Sequence, residues 1–174
     1  ILNNVSFASL SKIQDDIERL RAVYRKMIKT SAFIVFPLMF GLAAVSQPLI
    51  YFTIGTKWKL CALILQIICF MFVFMPIQSL SINLIQAMGR SDLSLKISIV
   101  GKVLSLLVLF GALPFGIIPM CWFSVVSSII ILLINFYYVD KLLGVSIFRQ
   151  LKDLVPSISL SIIMYVAVSF TIRL

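Results

Sequence analysis

The sequence predicts an all-α integral membrane fold: a bundle of about five transmembrane helices with an amphipathic helix at its N-terminal end. Three observations lead there. Of 174 residues, 61% are hydrophobic and 12% charged, where an average soluble domain has ~45–50% and ~25%. That leaves too little polar surface to coat a soluble globule, and with a mean hydropathy of +1.14 it excludes a disordered chain as well. Five apolar runs reach the ~20 residues that a helix needs to cross a bilayer. Finally, the cations gather in the connections on one alternating side.

The first element, residues 1–29, reads as an amphipathic connector helix. Ile13, Ile17, Leu20, Tyr24, Met27 and Ser31 follow the helical period. Ser11 and Gln14 have the spacing of a capping box. Asp15, Asp16 and Glu18 come early, while Arg25, Lys26 and Lys29 come late, as the helix dipole favours. Four spans are expected next, over 30–54, 60–88, 97–113 and 120–139. Pro37, Pro48 and Pro76 would interrupt helices, and the long second span has room to bend at Pro76. Between the spans lie Gly55–Lys59 with its aromatic Trp58, the polar turn Gly89–Asp92 and the short reversal Pro114–Pro119. Residues 140–156 mix Lys141, Arg149, Lys152 and Asp153 with large apolar side chains and read as a helix lying in the membrane interface. A fifth span covers 157–174. The chain opens on Ile1 without a signal-peptide pattern and is expected to be a fragment of a longer protein.

Eleven of the 15 cations fall on one side: Lys12, Arg19, Arg21, Arg25, Lys26, Lys29, Arg90, Lys96, Lys141, Arg149 and Lys152. Lys57, Lys59 and Arg173 fall on the other, and all six acids share the crowded side. The positive-inside rule therefore places residues 1–29, 89–96 and 140–156 in the cytoplasm. Tyr51, Trp58 and Trp122 would form an aromatic belt at the far interface, and Tyr137 and Tyr138 one at the near interface.

Several function classes drop out. With no His, the chain cannot build a Ser-His-Asp or Cys-His unit. Cys61, Cys69 and Cys121 lack the paired spacing of zinc ligands or a disulfide framework. No catalytic, cofactor-binding or metal-binding residue is expected, and the chain does not read as an enzyme. The net charge of +9 suits a membrane surface better than nucleic acid, because no basic stretch stands free of the spans.

Polar residues recur at helical spacing inside four spans: Ser79, Asn83, Gln86 and Arg90; Ser94, Ser98, Lys102 and Ser105; Ser124, Ser128 and Asn135; Ser157, Ser161, Tyr165 and Ser169. One such stripe is ordinary interhelical glue, at ~0.6–2 kcal/mol per contact. Four together suggest a polar path through the bundle. Lys102 stands out, since a cation near a span centre costs ~2.5–3.5 kcal/mol. It lies ~9 Å deeper than Lys96 by helical rise. Two roles stay open for it: snorkelling to headgroups, or lining a cavity that receives an anionic headgroup. Lys102, Ser98, Ser105, Asn83, Gln86, Arg90 and Asn135 are the substrate-cavity candidates. No carboxylate lies inside a span, so ion coupling through a buried acid would have to reside elsewhere in the protein.

The succession SKIQDDIERLRAVYRK (11–26), FPLMFGLAAVSQPLI (36–50), GTKW (55–58), ALILQI (62–67) and AMGRSD (87–92) resembles the polysaccharide-exporter family of bacterial lipid-linked oligosaccharide flippases. These belong to the same superfamily as the multidrug and toxin extrusion transporters. The resemblance is densest over residues 9–92. It implies a MATE-like transporter of 12 to 14 helices in two lobes, with this chain forming most of the second. It also implies a function: moving an undecaprenyl-pyrophosphate-linked sugar unit across the bacterial inner membrane for surface polysaccharide or lipopolysaccharide synthesis. The implied partners are that lipid-linked substrate, membrane lipids, the N-terminal lobe and a polysaccharide polymerase. A multidrug antiporter of the same superfamily and a non-transporting scaffold for polysaccharide synthases are the alternatives.

Overall fold

A computed structural model describes residue 10 and residues 16–173. The expected capping pair Ser11 and Gln14, with Ile13 and Asp15, lies outside the described residues, as does the side chain of Arg173. Six α-helices follow in order: α1 (Ile17–Thr53), α2 (Lys59–Phe72), α3 (Met75–Ala87), α4 (Ser91–Ala112), α5 (Ile117–Leu143) and α6 (Ile147–Arg173). Short 3-10 turns at Thr56–Trp58 and Leu113–Phe115 complete the described elements, among which there is no strand. With α2 and α3 taken as one broken rod, five helices are long and apolar enough to cross a membrane. The chain is a multi-pass membrane protein.

The helices alternate in direction. One end of the bundle therefore collects the start of α1, the α3–α4 turn and the α5–α6 turn, and we call it the basic end. All four reversals carry a glycine at positive φ. At Gly144 (φ 64) the left-handed residue ends α5, and its amide donates to the Asp140 carbonyl at 2.7 Å. A Cβ there would sit 3.1 Å from the Arg21 guanidinium, so close approach as well as backbone conformation favours glycine.

α1 is the longest element, at 37 residues. Asp16 caps it by accepting from the Arg19 amide at 3.0 Å. At ~1.5 Å per residue it is far longer than a ~30 Å hydrocarbon core. Residues 17–29 of the expected connector and the first span are thus one rod whose first turns stand at the basic end. The helix runs through Pro37 and Pro48 without a break, contrary to the expected interruptions. Each proline removes a single backbone bond, whereas a break in lipid would strand several polar groups. Only near Pro76 does a rod divide, between Phe72 and Met75.

The core fills the basic half. Leu20, Tyr24, Ile28, Ala32 and Phe36 of α1 pack against Ile77, Leu80 and Leu84 of α3, Leu132, Phe136 and Val139 of α5, and Leu154 of α6. The most extensive helix pair is α1 with α6. A Cβ on Gly41 would come 3.3 Å from the Met164 methyl, so the two helices pack closely midway. Beyond it, Phe40, Phe70 and Tyr165 meet with ring centroids 5.3–6.3 Å apart.

Residues 140–156 do not form a separate interfacial helix. Residues 140–143 finish α5, and 147–156 are the first turns of α6. Two of their polar side chains, Gln150 and Asp153, turn inward to α1. The Tyr24 hydroxyl lies 2.8 Å from Ser81 Oγ and donates to Gln150 Oε1 at 3.4 Å. The Gln150 amide in turn donates to the carbonyls of Val145 (2.7 Å) and Phe136 (3.4 Å). Asp153, 6% exposed, accepts from Arg25 Nε at 2.7 Å and Nη2 at 2.9 Å, with Lys29 Nζ at 3.1 Å. Charge-assisted, forked donors of this kind hold a carboxylate ionised. Tyr24→Phe is expected to lower stability by ~1–2 kcal/mol, because Gln150 Oε1 loses its buried donor. Thermal unfolding of the full-length protein in detergent measures this, and an unchanged midpoint would contradict it.

Candidate functional site

The break between α2 and α3 opens the other side of the bundle. Pro76 has no N–H, so the carbonyl four residues before it, on Phe72, loses its helical donor. α5 meets the break both as donor and as acceptor. Ser128 Oγ donates to the Met71 carbonyl at 3.4 Å, while Gln78 Nε2 donates to the Ser128 carbonyl (2.9 Å) and hydroxyl (3.2 Å). Beside this repair lies a cleft of about 410 Å³, walled by Gln78, Ser105, Ser124, Ser127 and Ser128 among Met71, Phe72, Met75, Val108 and Ile131. It shares Ser105, Ser124 and Ile131 with a second cleft of about 650 Å³ between α4 and α5, which adds Ser98, Gly101 and Lys102. A Cβ on Gly101 would lie 3.6 Å from Ile131, so the two helices close on each other at that level and form the groove's floor. The result is one groove, open sideways, with hydroxyls along it and a lysine between Ser98 and Ser105.

The predicted residues divide. Ser98, Lys102 and Ser105 come together on α4 and face Ser124 of α5. Lys102 is exposed and makes no ion pair among the described residues, where both ion pairs fall on Asp153. Ser105 Oγ and Ser124 Oγ each donate to the carbonyl four residues back, at 2.9 Å. Asn83, Gln86, Arg90 and Asn135 line neither cleft. Asn83 is buried in α3. Gln86 donates to Ser94 Oγ at 3.0 Å across the α3–α4 turn, next to the exposed Arg90. Asn135 is buried on α5 and donates to the Ile131 carbonyl at 2.9 Å. The fifth-span stripe lines neither cleft: Ser157 and Ser161 are buried, Ser161 donates to the Ser157 carbonyl of its own helix at 2.7 Å, and Tyr165 accepts from Gln66 of α2 at 2.6 Å. Four stripes at one spacing therefore do not make one path, because helices rotate differently against their neighbours.

Two groove residues escaped the sequence reading. Gln78 follows Pro76 by two positions, and a polar side chain just past a proline in a span is the signal that marks it. Ser127 adjoins Ser128, and its burial is invisible in the periodicity. Its hydroxyl is buried without a hydrogen-bond partner on the wall of the first cleft. Among the described residues no three His, Cys, Asp or Glu side chains converge as metal ligands would.

Residues 1–63 match the model of a family described as polysaccharide biosynthesis protein. The lipopolysaccharide biosynthesis protein WzxC of Escherichia coli (strain K12) is 30% identical over 152 residues, 86% of this chain and 31% of that protein. An uncharacterized membrane protein in the cps region of Klebsiella pneumoniae is 30% identical over 146 residues, 83% of this chain and 30% of that one. The chain belongs to the polysaccharide-exporter family. The teichuronic acid biosynthesis protein TuaB of Bacillus subtilis (strain 168) is a further relative, 27% identical over 146 residues, 82% of this chain and 30% of that protein. This exporter-family chain spans about three tenths of the length of the curated relatives it matches. No solved structure matches it.

Within this family member the groove separates structural from free hydroxyls. Gln78→Leu, which removes the donor at the helix break, is expected to cost ~1–2 kcal/mol. Ser127→Ala is expected to stay within ~0.5 kcal/mol of the parent or to stabilise it, since it removes a desolvated and unpaired group. Unfolding midpoints of the two variants in detergent decide this. A cost at Ser127 equal to that at Gln78 would show that the Ser127 hydroxyl is a structural bond.

Proposed function

We propose that the chain is part of a flippase that carries an undecaprenyl-pyrophosphate-linked oligosaccharide across the bacterial inner membrane, with the basic end in the cytoplasm. The observation that carries this reading is the α4–α5 groove: serine hydroxyls and one unpaired lysine inside a membrane span. A sugar unit offers many hydroxyls and a pyrophosphate offers concentrated negative charge. A groove that donates, accepts and bears one cation answers both in a medium that supplies neither. Its sideways opening suits a substrate whose isoprenoid tail remains in lipid.

Family membership supports the reading, since relatives carry names in lipopolysaccharide and teichuronic acid biosynthesis. The excess of cations at the basic end supports the orientation. Residues 1–29 then serve as the cytoplasmic connector from an N-terminal lobe of the same protein. In this reading that lobe faces the groove, and alternating access between the lobes moves the headgroup. Lys102 meets the pyrophosphate, and Ser98, Ser105, Ser124 and Ser127 meet sugar hydroxyls. The polymerase that accepts the exported unit is the expected downstream partner.

Lys102→Ala in the full-length protein, scored as surface polysaccharide at matched protein level, tests this. Loss of a charge-assisted contact of ~1.5–3 kcal/mol would reduce export by roughly 10- to 100-fold, and Lys102→Arg would retain most of it. Unchanged polysaccharide in Lys102→Ala would remove the groove from the transport path. Raised drug sensitivity with normal polysaccharide would point to a multidrug antiporter instead.

A further inference from the structure

The α1–α6 junction at the basic end gathers more positive charge than its one acid can balance. Arg25 and Lys29 of α1 and Arg149 and Lys152 of α6 wall a cleft of about 620 Å³. Asp153 is the sole acid in that wall. Its carboxylate is already committed to Arg25 and Lys29, at 2.7 and 3.1 Å. Arg149 and Lys152 are exposed and make no ion pair among the described residues. Four cations less one carboxylate leave the cleft with a net charge of +3.

A second feature adjoins it. Phe148, Leu151 and Val155 form an almost wholly apolar groove of about 440 Å³, which shares Arg149, Lys152 and Val155 with the basic cleft. Phe148 is 84% exposed and Val155 56%. In water such exposure is unfavourable, whereas against a fatty acyl chain it is not. An anion cradle thus sits directly beside an apolar channel. Basic pockets between helices on the cytoplasmic side are suited to anionic headgroups.

We propose that this junction is a binding site for one anionic glycerophospholipid of the inner leaflet, its phosphate between Arg149 and Lys152 and one acyl chain along Phe148 and Val155. The inference rests on the basic end being cytoplasmic. A free phosphate would use the cradle and ignore the channel. The isoprenoid carrier of the transport reading is assigned to the α4–α5 groove, which shares no lining residue with this site.

Native mass spectrometry of the detergent-purified full-length protein tests the site without reference to transport. Phosphatidylglycerol, phosphatidylethanolamine, glycerol phosphate and undecaprenyl phosphate are each titrated. The comparison is with Arg149→Gln/Lys152→Gln, which spares both partners of Asp153, and with Phe148→Ser. We expect phosphatidylglycerol to bind in preference to phosphatidylethanolamine, and roughly 30-fold more weakly to the double variant, at about fivefold per cation. We expect weaker binding to Phe148→Ser as well. Equal binding by parent and double variant, or equal binding of the two phospholipids, would overturn the proposal. So would glycerol phosphate binding as tightly as phosphatidylglycerol, or undecaprenyl phosphate displacing it through the same residues. If transport fails in Lys102→Ala while the lipid still binds, the two readings are independent.

Discussion

Lipid offers no hydrogen-bond partner, and this chain meets that constraint in opposite ways on its two sides. At the α1–α6 junction Tyr24 pairs with Ser81 and Gln150, and Asp153 with Arg25 and Lys29, while Arg21 Nε beside the α5–α6 turn is buried without a partner. Gln66 and Tyr165 pair farther along. In the α4–α5 groove Lys102 has no counter-charge among the described residues and Ser127 no partner for its hydroxyl. A polar group left unmet in a greasy medium is costly unless water or a ligand reaches it. The same accounting leaves the first side largely paired and the second with a lysine and a hydroxyl unmet.

Packing follows this division. The deep core joins α1, α3, α5 and the start of α6 in the basic half, where buried aromatics and a forked ion pair fix the geometry. α4 is the loosest member, with Leu95, Ile99, Val103, Leu106 and Phe110 all exposed. It leans mainly on α5. An element with few buried contacts is the one able to move at low energetic cost. The break at Pro76 lies against the same groove, so the least tied helix and the interrupted rod flank the candidate site together.

Much of this was legible in the residues, and the limits have physical causes. The five spans could be counted because hydropathy over ~20 residues is a strong signal. Lys102 with Ser98 and Ser105 could be grouped because one helix carries all three at period 3.6. What periodicity cannot supply is rotation, which side of a helix meets which neighbour. Asn83 and Asn135 kept the expected spacing and ended up buried within helix contacts. Residues 147–156 have the composition of an interfacial helix, yet Gln150 and Asp153 reach partners 126 and 128 positions away in sequence. No local pattern encodes a partner that distant. Pro37 and Pro48 misled for the reverse reason: a local rule about helix breaking gave way to the global demand that backbone bonds stay closed in lipid.

The most direct check of the account is which face of the membrane each end of the bundle occupies. With Cys61, Cys69 and Cys121 replaced, single cysteines are placed at Lys57 and at Ser146 of the full-length protein and exposed to a membrane-impermeant maleimide in intact spheroplasts. The account predicts rapid labelling at position 57 and protection at position 146 until the membrane is opened. Labelling of both positions before permeabilisation would contradict it, and the basic end could then no longer be cytoplasmic.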